Sequence, residues 1–482
     1  MKSLLIVTEM FDVGGLETSI RGEIVALTRA GCHVHQATGP RFNPMLLPKE
    51  VASVTHHLSL GPDASIADFT QAVDKLRRLI RDHAIDCVHA HPFTSLLPAL
   101  IAAQQERVQS SLTLHGPASL AVYYGPIYDF ILTSAILPSA GLVVAVSAET
   151  AKLAAPYLPN RKALILPNGV DFSLFPSFSI PTEIDPRWLV VSRLDPFKIV
   201  GIADFIRKAK LADLPGVRVL GDGPARENLQ QCLDDEGLSD FVELCGVSAD
   251  VPRLMQSAAG IAGMGRVALE GLASRKPVCL IGYDGVKGLI DRGMLSVASK
   301  ANFSGRNLPN IDSRTFCEQL EYVSKIEIEA LHKIVREKFS EHSVWRRFLE
   351  KIDKTKPQTS TLLADIYRVL LASDANEATP WLQSTALLEH ISELTHHAKH
   401  SKPGLMARVR RYRDKLSEVT ARETSAKQNH YAGKPASLIN QQQFGPDTML
   451  KRLEQLRQSC SRQLVWRLKR SARTAWRRLR HK

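Results

Sequence analysis

Arg193 and Lys198, separated by four residues, stand between an apolar run, WLVV, and the start of a helical one. A guanidinium fork and an ammonium point charge held there would neutralise a diphosphate; taken alone, they read equally as two solvated loop charges. The stretch Gly263–Val278, GMGRVALEGLASRKPV, offers a matching feature. Gly263 and Gly265 make a turn, and Val267, Leu269, Leu272 and Ala273 then recur at helical spacing. A glycine turn that opens a helix gathers free N–H groups and the positive end of the helix dipole at one spot. Such a spot suits a phosphate. Glu270, in the second turn, is either placed to accept from ribose hydroxyls or is a surface glutamate of an ordinary loop, helix and strand.

The elements that must position these groups alternate between strand and helix. Ser3–Val7 (SLLIV) reads as a buried strand, with a glycine turn at Gly14–Gly15, a helix to about Arg29 and a cap at Gly31. Strands are expected at Ile85–Ala90, Ser111–Gly116 and Gly141–Val146. This is a doubly wound α/β pattern without the G-x-G-x-x-G spacing of a nicotinamide site. Gly14–Gly15, His91 and His115 fall at carboxyl ends of its strands, where such sheets bind ligands. A Pro- and Ser-rich linker, Asp171–Pro186, separates a second series of the same kind, with strands at RWLVV, VRVLG, FVELCG and PVCLIGY. Helices are expected near 314–322, 327–339 and 342–354. Two such domains face each other across a cleft.

The net charge of +13 is local: 23 Lys and Arg against 10 Asp and Glu lie beyond residue 356, and the 39 of each before it cancel. A neutral body therefore carries a basic tail. Seven scattered cysteines, none in a C-x-x-C pair, read as free thiols of a reducing compartment rather than metal ligands. No apolar run is long enough to span a membrane. Within the tail, Asp447–Leu479 reads as one amphipathic helix, with Met449, Leu453, Leu456, Cys460, Leu464 and Leu468 on one stripe and Lys and Arg largely opposite. With Trp466 and Trp476 it fits an anionic membrane surface. A helix packed on the body or on a partner, or a nonspecific nucleic-acid tail, are the other readings; nucleic acid is the least favoured.

Taken in order, VGGLETSI, DCVHAHPF, TLHG, VVAVSAET, LPNGVDFSLF, VVSRLDPFK, VLGDGPARENL, VELCGV and GRVALEGLASRKPV resemble the GT-B fold glycosyltransferases of family 4, which are retaining and use nucleotide sugars. The resemblance covers roughly residues 3–350. It implies an N-terminal Rossmann-like domain on the acceptor side (1–175), a donor domain (176–340) and a closing helix (341–356), succeeded by a basic, mostly helical tail (357–482). It implies that Arg193 and Lys198 grip the donor diphosphate in place of a metal ion. Glu270 would hold the ribose, and Gly265, Val267 and Ala268 would approach the phosphates. Gly14 and Gly15 would close over the donor, and Val247 would contact the base through its backbone. His115 would stand near the sugar as the catalytic candidate. No cofactor is implied. The expected setting is lipid-linked, cell-surface or lipopolysaccharide assembly, in the cytoplasm or at the inner face of the plasma membrane.

Two positions, Ala262 and Arg275, and one loop, Tyr283–Ile290, which takes the place of a commoner proline-and-glutamate turn, depart from the family pattern. Ala262 stands where its first glutamate belongs, which leaves the contacts to the sugar unassigned. Arg266 is a candidate for a phosphate or an acidic sugar, or is surface charge. Arg275 replaces a usual glycine. These departures leave two alternatives: a scaffold of the same fold that acts through its tail, and a nucleotide-sugar epimerase.

Overall fold

The computed structural model describes residues 2–401, except 13, 121–123, 159–160, 177–183, 249, 323–325 and 374–378. The expected 447–482 helix lies outside the described residues. Seven parallel strands form the first sheet: β1 (Ser3–Thr8), β2 (His33–Thr38), β3 (Ser53–Thr55), β4 (Cys87–Ala90), β5 (Gln109–Leu114), β6 (Leu142–Ala145) and β7 (Leu164–Ile165), in the order β3-β2-β1-β4-β5-β6-β7. The second sheet holds β8 (Asp185–Val191), β9 (Val217–Leu220), β10 (Val242–Gly246), β11 (Ala258–Gly263), β12 (Val278–Ile281) and β13 (Val286–Leu289), in the order β10-β9-β8-β11-β12-β13. Both orders are doubly wound, with the direction of winding reversing between β1 and β4 and between β8 and β11. The stretch after Pro277 reads in sequence as a single strand, but the chain turns at Gly282–Gly285 and β13 runs back antiparallel to β12.

The helices that matter for the site are α1 (Gly15–Arg29), α2 (Ile66–Asp82), α3 (Leu96–Gln105), α4 (Ala148–Ala154), α5 (Ile199–Leu211), α6 (Arg266–Ala273), α7 (Ile328–Phe339), α8 (Glu341–Ile352) and α9 (Thr361–Ala372). All six β1 residues are buried, as expected of a parallel strand covered on both faces. α8 comes after the second domain in sequence but packs on the first. Its Val344, Trp345, Phe348 and Ile352 join Leu4, Ile6, Ile20 and Ile24 in one core. Each such side chain contributes of order 1.5–3 kcal/mol on burial, which makes α8 a firm tie between the domains.

The tail begins later than composition indicates. α9 is capped by Ser360, whose Oγ accepts from the Leu363 N–H, and it buries Leu363, Ile366, Tyr367 and Leu370. Ser360 also exchanges two hydrogen bonds with the Gln104 side chain of α3. Trp381 is buried against Phe69 of α2, and its indole N–H donates to Gly61 O at 3.1 Å. Residues 2–391 form one compact unit. Residues 357–391 carry one arginine against four acidic residues, so the positive charge belongs to the residues beyond 391. A charge count joins the two parts, whereas the apolar spacing of α9 separates them. Among the described residues the free cysteines Cys32, Cys87 and Cys279 are buried, and Cys232, Cys245 and Cys317 partly so.

Candidate active site

The groups singled out by chemistry gather at the two points where the sheets reverse. The Gly14–Gly15 turn and His91 lie past the ends of β1 and β4; Arg193 and the Gly263–Gly265 turn lie at the ends of β8 and β11. Between the domains lies a cavity of about 270 Å³. His115 and Gly116 line it from the first domain; Gly265, Tyr283, Asn302, Ser304 and Arg306 line it from the second. None of its ten lining residues is acidic.

Arg193 and Lys198 are joined by a residue that sequence reasoning passed over. Asp195 receives Arg193 Nε at 3.0 Å on one oxygen and Lys198 Nζ at 3.1 Å on the other. Its carboxylate holds both cations on one short loop. Lys198 also lies 5.7 Å from the centre of the Phe197 ring, and Phe197 packs on the cavity residue Tyr283. Half of the aspartate signal was legible, since an acid between two spaced cations is a common bridge.

α6 starts as the glycines require. Gly265 has φ 62°, a left-handed value that favours glycine. Its own N–H is spent on Phe303 O at 2.8 Å. That leaves the N–H groups of Arg266, Val267 and Ala268, in the first turn, as the ones a phosphate would meet. Arg266 does not line the cavity. Its Nε and Nη2 donate to Glu270 Oε1 at 3.3 and 3.2 Å, one helical turn on. Glu270 is thus held by Arg266, with its side chain largely shielded. Ala262 is fully buried among core residues on the α5 side, paired in the sheet with Val190 and Cys279. Tyr283, Asn302, Ser304 and Arg306 stand at the cavity instead. No sequence pattern marks Asn302, Ser304 or Arg306, because each sits in an irregular stretch brought in by the fold. Asn302 and Phe303 are both left-handed, at φ 53° and 54°.

On the first-domain side, Gly14 has extended backbone and Gly15 begins α1; a Cβ at Gly14 would meet the Glu17 carboxylate. Val247, just past β10, is 76% exposed, which leaves that backbone open to a ligand. The His115 backbone N–H donates to Ser119 Oγ at 2.9 Å, and its Nε2 lies 2.8 Å from His91 Nδ1. Behind it, Glu23, His89 and His91 are fully buried and form the described cluster whose spacing would suit a metal ion. Both nitrogens of His89 are already engaged, Nδ1 with Ser111 Oγ at 2.6 Å and Nε2 with Thr113 Oγ1 at 2.9 Å. His89 is therefore held by hydroxyl groups rather than left free to ligate. Burial pushes His89 and His91 down to about 3, so both imidazoles are neutral at ordinary pH.

Residues 13–174 match the family model described as Glycosyltransferase Family 4. A comparison with curated protein sequences gave no match. Among solved structures, HepE of Anabaena in complex with UDP aligns with a TM-score of 0.56 at 18% identity, covering 73% of this chain and 100% of that one. Sucrose-phosphate synthase of Thermosynechococcus elongatus aligns at 0.54 and 16% identity, over 73% and 98%. The lipopolysaccharide outer core galactosyltransferase WaaB aligns at 0.51 and 15%, over 73% and 99%. These likenesses share the two facing domains described above. Residues 13–174 therefore match the family 4 model, and the two facing domains have the fold of these structures, the GT-B fold.

Proposed function

We propose that the chain moves a sugar from a nucleoside diphosphate sugar to an acceptor hydroxyl with retention at the anomeric carbon. The observation that carries this reading is the Arg193–Asp195–Lys198 clamp at the end of β8; it does not itself line the cavity, but its Phe197 packs on the cavity residue Tyr283, and Gly265, which opens α6, lines the cavity too. Two bound cations and a helix N-terminus neutralise the diphosphate and stabilise the departing nucleotide, in the role a metal plays elsewhere. HepE, which is similar in fold, has been seen with UDP and with UDP-glucose, so UDP sugars are the first donors to test. Glu270 takes the ribose hydroxyls, with Arg266 holding its carboxylate in place. The backbone at Val247 meets the base, and Gly14 and Gly15 close over the donor. With no carboxylate among the cavity's lining residues, the acceptor proton passes to the leaving phosphate oxygen on the same face of the sugar.

The acceptor belongs to surface polysaccharide or lipopolysaccharide assembly, a setting that the likeness in fold to WaaB makes the natural first trial. No described helix is long and apolar enough to cross a membrane. The basic 447–482 segment holds the enzyme at the anionic inner face of the plasma membrane, each Lys or Arg contributing about 1 kcal/mol. The full chain should float with anionic vesicles and leave them at about 1 M salt.

Calorimetry with UDP, GDP, ADP and CMP sugars tests the donor site. One nucleotide diphosphate should bind, and Lys198→Ala should weaken that binding about a hundredfold. A folded protein that binds none of them sinks the reading. A second reading rests on the burial of Ala262 away from the cavity: a body that binds nucleotide without turning over sugar. Tight UDP binding with neither transfer nor donor hydrolysis would favour it, and interconversion of UDP-sugar epimers would favour an epimerase.

A further inference from the structure

Glu23 lies on the inner face of α1 and is fully buried. Its Oε2 is 3.0 Å from His91 Nε2, and its Oε1 is 3.6 Å from His89 Nε2. Neither oxygen, nor His91 Nε2, makes an aligned hydrogen bond among the described residues, so both sides of this close contact are still unpaired. On its far side, His91 uses Nδ1 to meet His115 Nε2 at 2.8 Å. Among the described residues His115 Nδ1 makes no hydrogen bond, and His115 lines the cavity. Carboxyl, imidazole and imidazole thus stand in one row that runs from the closed core to the cleft.

We propose that this row carries a proton, and that the ionisation of Glu23 decides which nitrogen of His115 bears hydrogen in the cleft. With Glu23 ionised, His91 holds its hydrogen on Nε2, facing the carboxylate. His91 Nδ1 then accepts from His115 Nε2–H, and His115 Nδ1 presents a bare lone pair. A proton taken up at His115 Nδ1 sends the Nε2 hydrogen to His91 Nδ1, and the His91 Nε2 hydrogen to Glu23. One proton enters, two imidazoles change tautomer, and the carboxylate becomes a carboxylic acid. No imidazolium is formed at any end state, which matters in a site too dry to hold one. His115 can therefore accept a proton from a hydroxyl of the bound donor sugar while the charge is cancelled at Glu23, deep in the core. Glu23 and His91 act through His115 and are positioning residues. Their bearing on transfer rests on the reading of the cleft as the donor site.

The surroundings fit this use. Burial pushes the Glu23 carboxyl up to about 7, against the smaller pull of His89. Burial also pushes His91 down to about 3 and His115 well below its ordinary range. Glu23 is thus the member of the row that titrates near neutrality. The groups facing it are His89 and His91 on β4 and, beyond them, His115 past β5. From α8, the Trp345 and Phe348 rings cover His89, and the Glu341 carboxyl lies against Gly22, one residue before Glu23. His89 is fixed by its two hydroxyl partners and does not enter the row.

The test uses the full chain labelled with ¹⁵N-histidine, its ring nitrogens observed through two-bond couplings and assigned with His115→Gln. Between about pH 6 and pH 8, His115 should exchange a protonated Nδ1 for a bare one, with a midpoint near that of Glu23. Glu23→Gln should lock His115 in one tautomer across the range. His91→Gln should do the same, and serves if Glu23→Gln does not fold. With UDP-glucose, Glu23→Gln should leave donor affinity within about twofold, lower the transfer rate about tenfold and remove its pH dependence. A His115 tautomer that ignores pH in the unaltered protein overturns the proposal. So does one tightly bound metal ion per chain by elemental analysis, because the imidazoles would then be ligands. A tautomer change without any nucleotide binding would leave the row standing and sink the donor-site reading instead.

Discussion

Glu149 and Arg306 meet across the cleft: Arg306 Nη2 is 2.7 Å from Glu149 Oε2, and its Nε is 3.3 Å from Oε1. Glu149 stands in the first turn of α4, in the first domain; Arg306 is in a loop of the second and also lies over the Tyr283 ring. About a third of each side chain is exposed, so the pair is worth no more than about 1 kcal/mol in itself. Its consequence is position. It holds the one permanently cationic side chain among the residues lining the cavity at the point where the domains meet. Arg306→Met should lower kcat/KM for transfer ten- to a hundredfold, about 1.4–2.7 kcal/mol, with the fold intact by circular dichroism. Glu149→Gln keeps the guanidinium but frees it, and should raise the donor KM several-fold with a smaller change in kcat. Wild-type kinetics in Arg306→Met would remove this residue from the site.

Lys198 and Arg193 should not contribute equally. Lys198 is 20% exposed and rests by Phe197, whereas Arg193 is 63% exposed and, among the described residues, its side chain is restrained at Asp195 alone. A side chain that must be ordered on binding gives back part of its interaction as lost rotamer freedom. Lys198→Ala should therefore weaken nucleotide binding about a hundredfold and Arg193→Ala about tenfold, both read by calorimetry. The opposite ranking would mean that the arginine fork makes the closer phosphate contact.

The sequence was most readable where the chemistry is local. Arg193, Lys198 and the Gly263–Gly265 turn sit beside strand ends, and their spacing already places them at one edge of a doubly wound sheet. Asn302, Ser304 and Arg306 could not be read in this way. They lie in a loop without periodicity, and only the packing of the second domain against the first, whose His115–Ala118 form the opposite wall, gives them a cavity to face. Arg266 shows the converse. Its position at a helix start pointed to a ligand, but Glu270 four residues on is the nearer partner, a competition that spacing alone does not settle. Glu23 was invisible as a functional group because it interrupts an otherwise ordinary amphipathic helix. Its meaning depends on which strand ends α1 happens to cover.

Arg275 is a local misfit that can be tested alone. It stands just past the C-cap of α6, and its φ of 56° is a value that glycine adopts freely and a side chain does not. Its pair with Glu329 is mostly exposed on the glutamate side and offsets only a few tenths of a kcal/mol. Arg275→Gly should stabilise the protein by about 0.5–1 kcal/mol in urea denaturation, with donor binding unchanged. A loss of stability would mean that the arginine ties α6 to α7 more firmly than its exposure implies.

Glu341 opens α8 and is buried against Gly22 of α1 and against Gly169, where no Cβ would fit beside it. Burial pushes its carboxyl up to about 7 from an ordinary 4.5; Arg266 opposes the shift, while Asp171 and Glu270 add to it. A carboxyl that is harder to ionise in the folded state favours folding while it is protonated. That contribution is fully present below about pH 4.5, falls as the pH rises, and is gone above about 7. The full swing is up to about 3 kcal/mol. Glu341→Gln mimics the protonated form at every pH. The variant should match the unaltered protein in urea midpoint near pH 4.5 and exceed it near pH 8. Glu23 titrates in the same direction, so the variant should keep part of the pH dependence rather than lose it all. A Glu341→Gln protein no more stable than its parent at pH 8 would mean that water or a cation reaches this carboxylate, and that α8 is not seated on α1 as tightly as its core contacts require.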